Sequence, residues 1–158
     1  MRSIFLVSIL MATVSSLFSQ QVPDLTYDPP IAQPAYKKDV GTDVFIDEGH
    51  HNFHTKDGRY APFNRPLEKD GYNVKAYFGQ FESRKLAEVK ILVIANALNE
   101  VNAKERNWIL PNPSAFTDNE IEVIKNWVSK GGSLFLIADH MPFAGAAEKL
   151  GATFGFTF

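Results

Sequence analysis

The chain has 158 residues, of which 45% are hydrophobic and 13% aromatic, enough apolar material for one globular domain with a single core. Its 16 Lys and Arg residues nearly balance 18 Asp and Glu residues, so no basic surface favours nucleic acid as a partner. The absence of cysteine excludes disulfides, thiolate nucleophiles and cysteine-ligated zinc.

Residues 1–19 have the pattern of a secretory signal peptide. Arg2 supplies the positive start, residues 4–14 form a short apolar stretch, and small residues lead to a cleavage position after Ser19. The apolar stretch is shorter than the roughly 20 residues of a membrane-spanning helix, although an uncleaved anchor is the alternative. We therefore expect a secreted or periplasmic protein with no stable membrane span after cleavage.

Residues 20–41 are rich in proline, which resists both helix and central strand. We interpret them as an extended linker or a strap lying on the domain, and residues 42–158 as the domain itself. Apolar runs predict strands at 43–47, 72–78, 90–96 and 133–139, and alternating phenylalanines suggest a fifth strand at 154–158.

Helical signals lie between these strands. The clearest begins with a capping box, Thr117 and Glu120, and ends before Gly131. Weaker signals cover residues 62–71, 82–89 and 144–151, whereas 97–116 read as a long loop or lid. Strands alternating with helices predict an α/β domain with a three-layer, doubly wound, mostly parallel sheet.

Polar residues follow three of the predicted strands, where an open parallel sheet binds its ligands. We expect one rim to gather these candidate catalytic residues: Glu48, His50, His54, Asp139 and His140. A metal-free site would use Glu48 or His50 as base, with Asp139 orienting His140. The competing interpretation is structural, because Asp and Asn at strand ends often form turns or cap the next helix.

The same rim offers metal and substrate ligands. His50, His54 and Asp47 have donor atoms that suit a divalent metal, although no familiar ligand spacing is present. Arg59 and Asn96 are candidate substrate-binding residues. Trp108 is a third, since its ring can stack on a sugar; packing of the loop onto the domain is the duller alternative.

Two stretches, "DEGHHNFHTKDGRYAPFNRPLEKDGYNV" and "WVSKGGSLFLIADHMPFAGAAEKLGATFGF", resemble a family of uncharacterised exported bacterial proteins. The resemblance covers residues 43–158. It implies a class I glutamine amidotransferase-like, flavodoxin-like fold. Amidotransferases of that class use a cysteine nucleophile, which this chain lacks, so the resemblance does not imply glutaminase activity. Similar proteins continue beyond the equivalent of residue 158, which suggests a truncated member.

Two functions remain open at this point. The first is an exported hydrolase that acts on a small or carbohydrate-like substrate through the His, Asp and Glu rim. The second is a non-catalytic ligand-binding or scaffold domain of the cell envelope. The missing nucleophile favours the second, whereas the concentration of titratable side chains favours the first.

Overall fold

The protein is built on a four-stranded sheet whose strands are all parallel, as the sequence predicts. A computed structural model describes residues 22–105 and 110–158. Its strands are β1 (Asp43–Asp47), β2 (Asn73–Tyr77), β3 (Ile91–Ala95) and β4 (Ser133–Ile137). Their order is β2-β1-β3-β4, with both β1 neighbours and the β3–β4 pair in parallel register. The residues that follow β1, β3 and β4 therefore meet at one edge, which we call the carboxyl edge.

Five helices occur in the described residues: α1 (Ala61–Lys69), α2 (Ser83–Leu86), α3 (Glu100–Glu105), α4 (Asp118–Ser129) and α5 (Phe143–Ala152). The predicted capping box is present at the start of α4, where Thr117 and Glu120 bond reciprocally. Gly131, just past the end of α4, has a φ of 99°, a left-handed conformation that favours glycine. Pro66 lies inside α1 without preventing the helix.

Alternate residues of the strands contribute to two separate apolar clusters. Leu92 and Ile94 of β3 join one cluster, whereas Val93 between them joins the other. The first cluster includes side chains of α2, α4 and α5, namely Leu86, Ile121, Ile124, Trp127 and Leu150. The second contains Val44, Ile46 and Val74, with Phe63 and Leu67 of α1 packed against it. Apolar clusters thus lie on both sides of β3, whereas Phe135 of β4 is 50% exposed.

The predicted fifth strand is wrong. Helix α5 continues to Ala152, and the backbone then turns, with the N–H groups of Phe154 and Phe156 donating to the Gly151 carbonyl. Gly155 has a φ of 83°, which interrupts any extended conformation. The phenylalanines instead line an apolar groove beside β4. The 97–116 loop also differs from expectation, because it contains α3.

The described part of the proline-rich segment, residues 22–41, lies against the end of α1. The Ala35 N–H donates to the Asp70 carboxylate at 2.7 Å, and the Tyr36 ring packs edge-on against Tyr72 at 5.1 Å. The predicted signal peptide lies outside the described residues. Among the helices of the described residues, none combines the length and the apolar character needed to cross a membrane.

Candidate functional site

The polar residues at the carboxyl edge separate into two clusters. Asp47, His50, Asn52 and Glu120 form the first, which we call the buried cluster. His54, Asn96, Asp139 and His140 form the second, which we call the rim cluster. The sequence predicts a single rim, and the structure divides its residues between these two environments.

In the buried cluster, His50 lies between two carboxylates. Its Nδ1 is 2.9 and 3.0 Å from the two oxygens of Asp47, and its Nε2 is 2.9 Å from Oε1 of Glu120. His50 is 6% exposed, Glu120 3% and Asp47 0%, so solvent hardly reaches these contacts. The ring also stacks on Phe81, with centroids 4.6 Å apart. His50 therefore belongs to the core of the domain.

The capping box explains how Glu120 reaches His50. Its Oε2 accepts from the backbone N–H and hydroxyl of Thr117, at 2.9 and 2.8 Å, while Oε1 also accepts from the Phe81 N–H at 3.0 Å. In a parallel α/β arrangement the helix N-termini lie at the carboxyl edge of the sheet, where β1 delivers His50. A single carboxylate thus caps α4 and ties it to the loop after β1.

Charge complementarity fixes the protonation of the buried cluster. Burial alone would lower the pKa of His50, but hydrogen bonds and charges from Asp47 and Glu120 outweigh it and raise that pKa above 6.5. Burial opposes ionisation of Glu120, yet hydrogen bonds from Thr117, His50 and Phe81 hold its pKa below 4.5. Because both ring nitrogens of His50 face carboxylate oxygens, the contacts favour the imidazolium, which donates from both nitrogens.

This geometry removes His50 from the predicted chemistry. An imidazolium with both N–H groups engaged has no lone pair to bind a metal or accept a proton. Residues 22–105 and 110–158 contain no group of three or more His, Asp or Glu side chains that could hold a metal ion. The metal set predicted from sequence, His50, His54 and Asp47, is therefore not assembled. Glu48 does not join either cluster: its Oε1 accepts from the Lys56 N–H at 2.8 Å and closes the loop after β1.

Asn96 is the centre of the rim cluster. It directly follows β3 with a φ of 48°, a left-handed conformation that asparagine tolerates better than most residues. Its Nδ2 lies 3.1 Å from Nδ1 of His54 and donates to Oδ1 of Asp139 at 2.9 Å. Its Oδ1 accepts from the Asp139 N–H at 3.3 Å. Asn96 has 0% exposure and both its amide atoms are engaged, so it positions its neighbours; a role in substrate binding stays a prediction.

The same bonds fix the tautomer of His54. Because Oδ1 of Asn96 faces a backbone N–H and Nδ2 faces a carboxylate oxygen, the amide has only one orientation that satisfies both. Nδ2 must then donate to Nδ1 of His54, which leaves the proton of the neutral ring on Nε2. Burial lowers the pKa of His54, and Arg59 and His140 lower it further against the opposing charge of Asp139. His54 is a neutral ring with a donor at Nε2.

The Nδ1 atom of His140 faces a hydrogen-bond acceptor, whereas the Nδ1 atom of His54 faces a donor. Nδ1 of His140 is 2.7 Å from Oδ1 of Asp139, and the carboxylate accepts the ring proton there. The predicted orientation of His140 by Asp139 is present, and the two side chains are 48% and 43% exposed. The rim thus holds two imidazoles that are linked through Asn96 and Asp139.

Aromatic side chains frame the rim cluster. His54 packs against Tyr60 with centroids 4.7 Å apart and against Phe53 at 5.3 Å, while Phe143 lies 5.1 Å from His140. Burial and the charge of Asp139 raise the pKa of Tyr60, so its hydroxyl keeps its proton. Tyr60 was not among the residues predicted to be catalytic; its stacking on His54 depends on the path of the loop, which no sequence spacing reveals.

A small cleft opens beside His54. It has a volume of 120 Å³ and is lined by Val22, Pro23, His54 and Arg59. The carboxyl edge thus brings together His54, Asp139 and His140 with Asn96 and Arg59, and excludes Glu48 and His50 from that group. Trp108, the remaining predicted ligand residue, lies outside the described residues.

Comparisons of the chain with protein-family models, curated proteins and solved structures found no match. Fold and site define the protein as an α/β domain with a parallel sheet and a histidine–aspartate cluster at its carboxyl edge. Its function must therefore be argued from the side chains of that cluster.

Proposed function

We propose that the protein is a hydrolase-like enzyme that performs acid–base chemistry at the rim cluster on a small or carbohydrate-like substrate. The observation that carries the proposal is the 2.7 Å contact between Asp139 and Nδ1 of His140, beside a neutral His54. Carboxylate-oriented histidine is a widespread general base. Buried His50 and loop-closing Glu48 have no part in this version of the chemistry.

The two imidazoles divide the work. Nε2 of His140 takes a proton from the attacking water and returns it to the leaving group as the bond between that group and the substrate breaks, while the Asp139 carboxylate stabilises the transient imidazolium. Nε2–H of His54 is a preorganised neutral donor that holds an oxygen of the substrate in position beside His140. Asn96 keeps His54 in the tautomer that this contact requires.

We further propose that the domain has the three-layer, flavodoxin-like arrangement of the class I glutamine amidotransferases and that the protein is exported. Support for the three layers comes from the two apolar clusters, because successive residues of β3 belong alternately to one cluster and to the other. Support for export comes from the signal-like residues 1–19. The chain contains no cysteine, so the proposal does not extend to glutaminase chemistry.

The test is hydrolysis of a panel of chromogenic esters, glycosides and phosphate esters by the purified protein and its His140→Asn and Asp139→Asn variants. We expect turnover of at least one class, with kcat reduced by about 10²–10⁴-fold in His140→Asn. The His51→Asn variant is the matched control, since His51 is exposed and belongs to neither cluster. Turnover that His140→Asn leaves unchanged would contradict the proposal.

The size of the cleft favours a second candidate function. Pockets for drug-sized ligands occupy about 300–1,000 Å³, whereas the cleft beside His54 measures 120 Å³. A non-catalytic domain of the cell envelope that captures a small group at this rim fits such a cleft. In that case the panel would show no turnover, and binding to the same residues would persist.

A further inference from the structure

We propose that the cleft between Arg59 and His54 binds an oxyanion, a carboxylate or phosphate group of the substrate. That this group belongs to a substrate rests on the proposed function. The site itself stands on the geometry of Arg59, on the donor at Nε2 of His54 and on the dimensions of the cleft.

Arg59 is held in place without being neutralised. Its guanidinium carbon lies 4.1 Å from the centroid of the Phe53 ring, a cation–π contact. Such a contact uses no N–H group as a hydrogen-bond donor to a carboxylate. No hydrogen bond or ion pair of this guanidinium exists in residues 22–105 and 110–158. In contrast, several lysines of the same chain are paired with carboxylates: Lys56, Lys69, Lys75 and Lys85.

His54 supplies the second recognition element. Its Nδ1 is committed to Asn96, so the proton on Nε2 is a fixed neutral donor, and His54 lines the cleft together with Arg59. His54 and Arg59 line the same cleft, and a guanidinium fork together with an imidazole N–H suits an oxygen anion better than a neutral hydroxyl, which needs an acceptor as well. Both polar side chains that line the cleft, Arg59 and His54, therefore act as hydrogen-bond donors.

Electrostatics and size limit the ligand. Asp139 is the carboxylate whose charge acts on His54 and Tyr60, and its Oδ1 is bonded by both Asn96 and His140, which offsets that charge. The cleft of 120 Å³ exceeds the roughly 10–15 Å³ that one water needs, yet is too small for a whole sugar. It fits one carboxylate or phosphate group, with the rest of the molecule extending toward His140.

The experiment is an NMR titration of the purified protein with sodium acetate and, separately, inorganic phosphate, at constant ionic strength set by chloride. The readouts are the ring nuclei of His54 and the side-chain Nε of Arg59. We expect saturable shifts at both residues for at least one anion. The Arg59→Gln variant should weaken that binding about tenfold, and Arg59→Lys should weaken it less, because it keeps the charge and loses the fork.

The matched control is Arg84→Gln, which removes one positive charge from the exposed face of α2 and should leave the dissociation constant unchanged. Saturation by acetate alone identifies a carboxylate, and saturation by phosphate alone identifies a phosphate group. No saturable shift with either anion overturns the inference, as does equal binding by Arg59→Gln and the parent. Turnover that depends on His140 without anion binding would sink this inference alone, whereas anion binding without turnover would sink only the proposed function.

Discussion

Asn96 and Asp139 are joined in both directions across the ends of β3 and β4. The Asn96 amide donates to the Asp139 carboxylate at 2.9 Å, and the Asp139 backbone N–H returns a bond to the Asn96 carbonyl oxygen at 3.3 Å. This pairing fixes the amide, and the amide fixes His54. The tautomer of His54 is therefore set by a residue that is fully buried.

The stability of Asn96 variants should reverse the usual order of glycine and alanine. Both Asn96→Ala and Asn96→Gly lose the amide bonds, at a cost of about 1–3 kcal/mol. Only alanine also incurs the left-handed backbone cost, about 1 kcal/mol, because Asn96 has a φ of 48°. Urea unfolding should therefore show Asn96→Ala to be the less stable variant. Equal stability of the two would argue against the left-handed conformation.

The tautomers of the two rim histidines should differ. Long-range ¹H–¹⁵N spectra at neutral pH should show the His54 proton on Nε2 and, when neutral, the His140 proton on Nδ1. In Asn96→Asp, a carboxylate replaces the amide donor, so His54 should move its proton to Nδ1 and its pKa should rise. If both histidines showed the same tautomer in the parent protein, the proposed division of roles would be wrong.

The buried cluster should give stability a defined pH dependence. The pKa of His50 is higher in the folded protein than its ordinary value of 6.5. The contribution of His50 to the free energy of unfolding is therefore complete below pH 6.5 and is lost as pH rises through the pKa of the folded state. The lowered pKa of Glu120 means that its contribution is complete above 4.5 and is lost as pH falls through the lower folded value. The stability difference between the parent and His50→Gln should thus be largest between 4.5 and 6.5 and shrink above that range. A difference that grows with rising pH would contradict this assignment.

Glu120 should matter far more than its neighbours on α4. Glu120→Gln removes the negative charge that faces His50 in a buried setting, which we expect to cost about 3 kcal/mol in the free energy of unfolding. Glu122→Gln is the matched control, since Glu122 is exposed and pairs only with surface Lys125 and Asn126. It should change stability by less than about 0.5 kcal/mol. Similar losses from both variants would remove the structural role given to Glu120.

The sequence predicted four of its five proposed strands correctly, as well as the main helix and the meeting of His54 with Asp139 and His140, because parallel strands place their carboxyl ends together. The sequence did not show that His50 and His54 lie in different environments. The side chain of His50 points into the core and that of His54 lies in the rim cluster, a difference that depends on the path of the loop after β1. Glu120 was recognised only as a helix cap. Its second role required knowing that the N-terminus of α4 lies over the loop after β1.

The hydrogen bonds of Asn96 in the rim cluster also depend on correct assembly of the sheet. The side-chain bonds of Asn96 reach residues 42 and 43 positions away along the chain, so they form only after β1, β3 and β4 are assembled in order. A one-residue slip between β3 and β4 would turn the Asn96 side chain to the opposite face. The chemical shift of the His54 ring would then report, from a single site, whether a refolded or redesigned chain has reached its native topology.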